Sequence, residues 1–253
     1  MDWWNMIYFG FWAAVIGAVF GSFVCCMTER IHDKKPLGGR SRCSSCGHVL
    51  GGVELIPIFG WLINRGRCRY CKGKIPVHNV LAEAALAIGF TVVMLRFDTW
   101  SRRICTAGFE AILLAIALWD MENFEIPEVL LAAALVWKII FVLLFPKKGI
   151  SFVDGLLGAG LISGGLFLLS VCMDRKMKRE TIGYGDIRLL FVTGWYLGWK
   201  GNFLNLFLSS VLGILVCVIT KKRKIPFGPV IAASTAFCLC YGEALIRWYV
   251  HIC

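Results

Sequence analysis

The chain predicts an all-α polytopic membrane protein of about eight transmembrane helices with one small cytoplasmic loop domain. Three observations lead there. Of 253 residues, 58% are hydrophobic, and the mean hydropathy is +0.72. Only 17% are charged, against about 25% in soluble domains. Apolar runs near the roughly 17–25 residues that a bilayer requires recur along the chain. A soluble globule of this size has too little interior for so much apolar surface. The same composition excludes a disordered chain, a collagen and a secreted disulfide scaffold.

The first run, 6–27, is read as a retained span. No Lys or Arg precedes Arg30, so the basic n-region of a cleavable signal is missing, and the run is too long for an h-region. Further runs cover 79–95, 104–119, 128–145, 152–173, 187–199, 202–220 and 228–249. The sixth is short and meets the seventh at Gly198, Lys200 and Gly201, so this pair reads either as two spans or as one long or re-entrant element. The expected organisation is a first transmembrane span at 1–27, a cytoplasmic loop at 28–78 and a transmembrane core at 79–253. Gly158/Gly160 and Gly164/Gly165 lie within one run and are read as close helix-packing positions.

The net charge of +11 comes from 27 Lys and Arg against 16 Asp and Glu. With the N-terminus outside, 19 of the 27 basic residues fall in cytoplasmic segments: ten in 28–78, four in 174–185, Arg188, and Lys221, Lys222, Arg223 and Lys224. The remaining eight are Arg96, Arg102, Arg103, Lys138, Lys147, Lys148, Lys200 and Arg247. This bias follows the positive-inside rule and favours eight spans over seven, because seven would put the 221–224 cluster outside. The expected partner of the basic surface is anionic lipid. Nucleic acid is not expected, because the basic clusters sit between apolar runs and lack interleaved aromatics.

The 28–78 loop holds Cys43-Ser44-Ser45-Cys46 and Cys68-Arg69-Tyr70-Cys71, separated by 21 residues. One Cys-x-x-Cys turn delivers two thiolates from a short loop, and a second completes a tetrahedral set. Cys43, Cys46, Cys68 and Cys71 are therefore expected to hold a structural Zn²⁺, which folds a loop too small to stabilise itself. A reducing cytoplasmic side disfavours two disulfides. His48 competes as a ligand but is read as a bystander. The other eight cysteines, at 25, 26, 105, 172, 217, 238, 240 and 253, are read as small apolar fillers. Leu55 to Ile63 is apolar but too short to span, and is expected to pack the loop on the membrane surface.

Ionisable residues at span ends are functional candidates. Asp120 opens a turn running through Met121, Glu122, Asn123, Phe124, Glu125, Ile126 and Pro127 to Glu128, with four acids and no base. Asp186 follows Gly183-Tyr184-Gly185 and precedes Ile187-Arg188. Both aspartates are expected at the cytoplasmic depth. Two carboxylates there can share a proton, one acting as base and the other as acid, and activate water on a peptide carbonyl. The plainer reading makes Asp186 a helix cap, with Glu125 or Glu128 capping the helix near Pro127. Glu83, Glu110, Asp154 and Glu243 are isolated acids and are read as helix-contact or loop residues.

The ordered set Gly21-Ser22-Phe23, the two cysteine pairs, Asp120…Ile126-Pro127-Glu128, Gly183-Tyr184-Gly185-Asp186 and Pro226-Phe227-Gly228-Pro229 resembles bacterial type IV prepilin peptidases, membrane aspartyl proteases of the GxGD type. The resemblance covers nearly the whole chain and makes 79–253 a transmembrane aspartyl protease core. It implies a multi-pass protein of the bacterial inner or plasma membrane with its active site facing the cytoplasm. The implied activity is removal of the basic leader of prepilins or pseudopilins after a Gly, with methylation of the new N-terminus from S-adenosylmethionine. The implied catalytic pair is Asp120 and Asp186, with Gly183, Gly185 and Arg188 shaping the site. Arg188 stands where the family commonly has Lys, Glu128 where it often has Asp or Asn, and Cys25-Cys26 where it usually carries Asn. Glu122, Glu125 and Glu128 form an acidic rim suited to a basic leader. No Gly-rich nucleotide loop marks an S-adenosylmethionine site. The competing reading is a proton- or cation-coupled transporter using Asp120 and Asp186, which predicts matching acids on the outer side. A zinc-anchored scaffold is a third reading.

Overall fold

The computed structural model describes residues 3–145, 152–178, 182–221 and 224–252. Lys147, Lys148, Arg179, Lys222, Arg223 and Cys253 lie outside the described residues. Among those described, the chain is all-helical: α1 (Trp3–His32), α2 (Phe59–Ile63), α3 (Val77–Arg96), α4 (Trp100–Asn123), α5 (Glu128–Leu144), α6 (Phe152–Met177), α7 (Tyr184–Thr220) and α8 (Gly228–Ile252). Six of them, α1, α3, α4, α6, α7 and α8, are long and apolar enough to cross a membrane. Every apolar run of the sequence falls on a helix; 128–145 overruns the 17-residue α5 by its last residue. The runs 187–199 and 202–220 share α7, whose backbone breaks at Gly198 (φ 69°, ψ 177°). The two alternatives for this pair thus meet in one helix with a break.

The chain forms two compact units, Met1–Asp98 and Thr99–Cys253. In the first, α1 and α3 pair antiparallel through small residues. Gly10 faces Thr91, Gly17 faces Leu86, and Gly21 faces Ala82 and Glu83. The step of four from Gly17 to Gly21 along α1 matches the step of four back from Leu86 to Ala82 along α3. A Cβ on Gly21 would lie 2.7 Å from the Ala82 carbonyl oxygen, so the backbones touch there. This is the close approach that small residues permit between apolar helices.

In the second unit, α4, α5, α7 and α8 share a core built on Phe109, Ile116, Ala134, Leu189, Tyr196 and Ile231, and α6 packs on α7. Tyr196 stacks on Phe109 with ring centroids 3.5 Å apart. Its hydroxyl donates to the Ala134 carbonyl at 2.6 Å. Gly158 of α6 lies against Gly194 and Gly198, whereas Gly160, Gly164 and Gly165 face open space. Close packing through the two glycine pairs therefore holds at Gly158 alone.

The break in α7 is answered by a buried polar network. Asn202 Nδ2 donates to the carbonyls of Gly158 and Leu190, at 2.9 Å each, and Thr193 Oγ1 donates to Asn202 Oδ1 at 3.0 Å. Asn205 Nδ2 donates to Thr193 Oγ1, and Ser234 of α8 donates to Asn205 Oδ1. The network ties the segments on either side of the break to each other and to α6 and α8.

Candidate functional site

The two aspartates sit at opposite kinds of helix end. Asp120 lies in the last turn of α4 and is only 5% exposed. Its Oδ2 accepts a hydrogen bond of 2.7 Å from the backbone N–H of Gly228, the first residue of α8. A Cβ on Gly228 would stand 2.7 Å from that oxygen, so the contact needs glycine. The helix ends just beyond, where Phe124 adopts the left-handed conformation (φ 55°, ψ 32°) and its N–H donates to the Asp120 carbonyl. A bulky residue rarely holds that conformation without surrounding constraint.

Asp186 lies in the first turn of α7 and is half-buried. Gly183 is the N-cap residue, and no side-chain hydrogen bond caps the helix. Pro127 precedes α5, again without a side-chain cap. The capping roles weighed for Asp186, Glu125 and Glu128 are thus not taken up. A Cβ on Gly183 would lie 3.0 Å from Asp186 Oδ2, and one on Gly185 would lie 3.2 Å from Ile126 Cβ. The two glycines keep space beside the carboxylate and against the turn after α4. Asp120 and Asp186 are close enough for the charge of one to act on the other.

Around this pair the acidic turn divides. Glu122 and Glu125 are exposed. Glu128 is ion-paired with Arg188, which joins the start of α5 to the first turn of α7. Glu110 is buried on α4, and its Oε2 has no hydrogen-bond partner among the described residues. Two contributors escaped the sequence reading: the Gly228 N–H and the left-handed Phe124. Pro226-Phe227-Gly228-Pro229 signalled the first by its motif, but nothing local says which carboxylate it meets. Phe124 carries no signal, because its residue type argues against its conformation.

In the first unit, the two cysteine pairs form matching knuckles. Cys43 N–H donates to His48 O and Gly47 N–H to Cys43 O. Cys68 N–H donates to Gly73 O and Lys72 N–H to Cys68 O. Gly47 (φ 72°) and Lys72 (φ 58°) occupy the same left-handed position, which glycine adopts freely and lysine at a cost of roughly 1–2 kcal/mol. All four sulfurs lie within 4.8 Å of one another, with Cys43 Sγ and Cys71 Sγ 3.9 Å apart. Tetrahedral bonds of about 2.3 Å put sulfurs roughly 3.8 Å apart, so the set fits a zinc-sized ion. The backbone N–H of Cys46 is the main influence lowering the Cys43 thiol to about 7. Cys46 receives the His48 N–H but is pushed up to about 11 by burial and the neighbouring thiols. His48 instead packs against Tyr70, the two rings tilted by 39°. The apolar stretch between the knuckles forms α2 and leaves Leu55, Ile56, Phe59, Leu62 and Ile63 exposed. Ile58 N–H donates to Glu83 Oε2 of α3 at 2.6 Å, which anchors this stretch.

Two family models match the chain. The bacterial peptidase A24 N-terminal domain covers residues 15–97, and the type IV leader peptidase family covers residues 107–218. The prepilin leader peptidase/N-methyltransferase of Bacillus subtilis is 30% identical over 94% of this chain and 96% of its own length. The protein of the same name from Aeromonas hydrophila is 31% identical over 83% of this chain and 74% of its own. The chain belongs to the type IV leader peptidase family. The N-terminal match falls within the first compact unit and the peptidase match within the second. The cysteine knuckles and the aspartates are thus carried by different parts of the family's sequence. No solved structure matches at a significant level.

Proposed function

We propose that the chain is a membrane-embedded aspartic endopeptidase that cleaves the basic leader of prepilins or pseudopilins after Gly, and methylates the amine it exposes. What supports this reading is that Asp120, at the end of α4, and Asp186, at the start of α7, are near enough to act on each other's charge, in a member of this family. One carboxylate, ionised, takes a proton from water as the oxygen attacks the scissile carbonyl. The other, protonated, donates to the carbonyl oxygen. Collapse of the tetrahedral intermediate breaks the C–N bond, and the leaving amine takes a proton from the pair. Gly228 holds Asp120 in place through its N–H, while Gly183 and Gly185 leave room for an extended peptide backbone. Arg188 positions the start of α7 through Glu128. The active site faces the cytoplasm of an inner or plasma membrane, as the distribution of Lys and Arg supports.

The exposed Glu122 and Glu125, with Glu128, attract the Lys and Arg of the leader. Neutralising Glu122 and Glu125, which leaves the Glu128–Arg188 pair in place, raises KM for a basic leader with kcat little changed; an unchanged KM removes them from recognition. S-adenosylmethionine supplies the methyl group when bound. Zn²⁺ held by Cys43, Cys46, Cys68 and Cys71 stabilises the fold of the loop. The bonding pattern of the two knuckles supports that reading.

The test is a gel-shift assay in membranes with a prepilin whose basic leader ends in Gly. The parent chain is expected to shorten the substrate, and Asp120→Asn and Asp186→Asn are expected to leave it intact. Cleavage that survives either substitution removes that residue from catalysis. A folded parent that leaves the prepilin uncut overturns the proposal.

A further inference from the structure

A second group of metal-ligand side chains lies apart from the knuckles, where α1 and α3 meet at the feet of the loop. Cys25 and Glu29 are one turn apart on α1, so they share a face. His78 lies in the first turn of α3. The Cys25 sulfur, a Glu29 carboxylate oxygen and a His78 ring nitrogen all fall within 4.8 Å of one another. His78 Nε2 is 3.6 Å from Glu29 Oε1, and Cys25 Sγ is 3.9 Å from the same oxygen. Asn79 Oδ1 stands 3.5 Å from Cys25 Sγ.

The antiparallel register builds this cluster. Gly17 against Leu86 and Gly21 against Ala82 set the backbones in contact. One further turn brings Cys25 opposite His78 and Asn79. The decisive atom is His78 Nε2, which is shut off from solvent and makes no hydrogen bond among the described residues. A buried polar nitrogen with no hydrogen bond is costly and calls for an explanation. Here it stands beside a thiol and a carboxylate at separations slightly wider than a tetrahedral first-row ion draws its ligands.

We propose that Cys25, Glu29 and His78 bind a divalent transition-metal ion of the zinc class, with water or Asn79 Oδ1 in the fourth position. A thiolate, a carboxylate and a neutral imidazole together carry two negative charges, so a divalent cation neutralises the site. The sulfur and nitrogen donors select zinc or cobalt over magnesium or calcium. Three protein ligands leave the site open, unlike the four-sulfur set. The bound ion clasps the end of α1 to the start of α3, and so closes the loop 33–76 at its base.

The test counts metal in the tag-free full-length chain in detergent, loaded with Zn²⁺ and freed of excess. Elemental analysis is expected to find two zinc ions per parent chain. One is expected in Cys25→Ser, one in His78→Gln, and one in the double variant Cys43→Ser/Cys46→Ser. Titration of the unaltered parent with Co²⁺ supplies a reading free of folding effects. Two equivalents are expected, one of them with far weaker thiolate charge-transfer absorption than the other. A parent that binds a single equivalent, lost in the Cys43→Ser/Cys46→Ser variant and kept in Cys25→Ser, overturns the proposal. A single equivalent lost in Cys25→Ser and kept in the knuckle variant supports it, and overturns the knuckle reading instead.

Discussion

The cysteine loop and the aspartate site are assembled in opposite ways. The loop draws its ligands from two short turns, each closed by its own backbone bonds, and its sulfurs lie near or at the surface apart from Cys68. The aspartate site draws on the ends of α4, α7 and α8, and its defining hydrogen bond joins residues 108 positions apart. On the proposed reading, the first depends on an ion to bring local pieces together. The second depends on a packed core to hold distant pieces still. Damage to one should therefore show as loss of order in a loop, and damage to the other as loss of chemistry in a fold that stays intact.

The largest expected effect is at the carboxylates. Asp120→Asn or Asp186→Asn should lower cleavage by about 10²- to 10⁴-fold, the range of a lost acid or base, with helical circular dichroism unchanged. Residual cleavage near the parental rate would break the contrast at its strongest point. Next comes Gly228→Ala, which places a methyl group 2.7 Å from Asp120 Oδ2. Displacing a catalytic group by about an ångström should cost roughly 10²-fold in kcat, and the loss should fall on kcat rather than KM.

A smaller effect on activity, and a larger one on order, is expected at the knuckles. Cys43→Ser with Cys68→Ser should release the knuckle ion and open the loop 33–76 to limited proteolysis, while the helical signal of the second unit persists. Collapse of the whole helical signal would show that the loop supports more than itself. The smallest effect belongs to the helix pair of the first unit. Gly21→Val forces a branched side chain against the Ala82 carbonyl and should destabilise this unit by about 1–3 kcal/mol, read as a lowered midpoint of thermal unfolding.

Much of this was legible because it is written locally. Apolar runs gave the helices, since crossing a bilayer demands length and composition together. Cys-x-x-Cys gave the knuckles, since two thiolates from one turn need that spacing. Asp120 and Asp186 stood out because a lipid-facing chain carries few acids. What stayed hidden is long-range or buried. Asn202 and Asn205 drew no notice within an apolar run, yet their hydrogen bonds tie α7 to α6 and α8 around the break at Gly198. Glu128 read as a free acid of the rim, whereas Arg188, 60 residues on, pairs with it. Cys25 read as an apolar filler because Glu29, one turn on along α1, makes no ligand set by itself, and His78 joins them only through the register of α1 on α3. Gly160, Gly164 and Gly165 read as packing residues because composition cannot say which face of a helix meets a neighbour.

The hydrogen bond to Asp120 has a genetic consequence. Its donor is a main-chain N–H, which no codon specifies. Nineteen amino acids at position 228 supply the same donor, and most of them bring a side chain that crowds the carboxylate instead. Proline alone removes the donor, and the first residue of a helix is where proline is best tolerated. A mutational survey that stops at alanine would score this position for bulk and overlook the hydrogen bond.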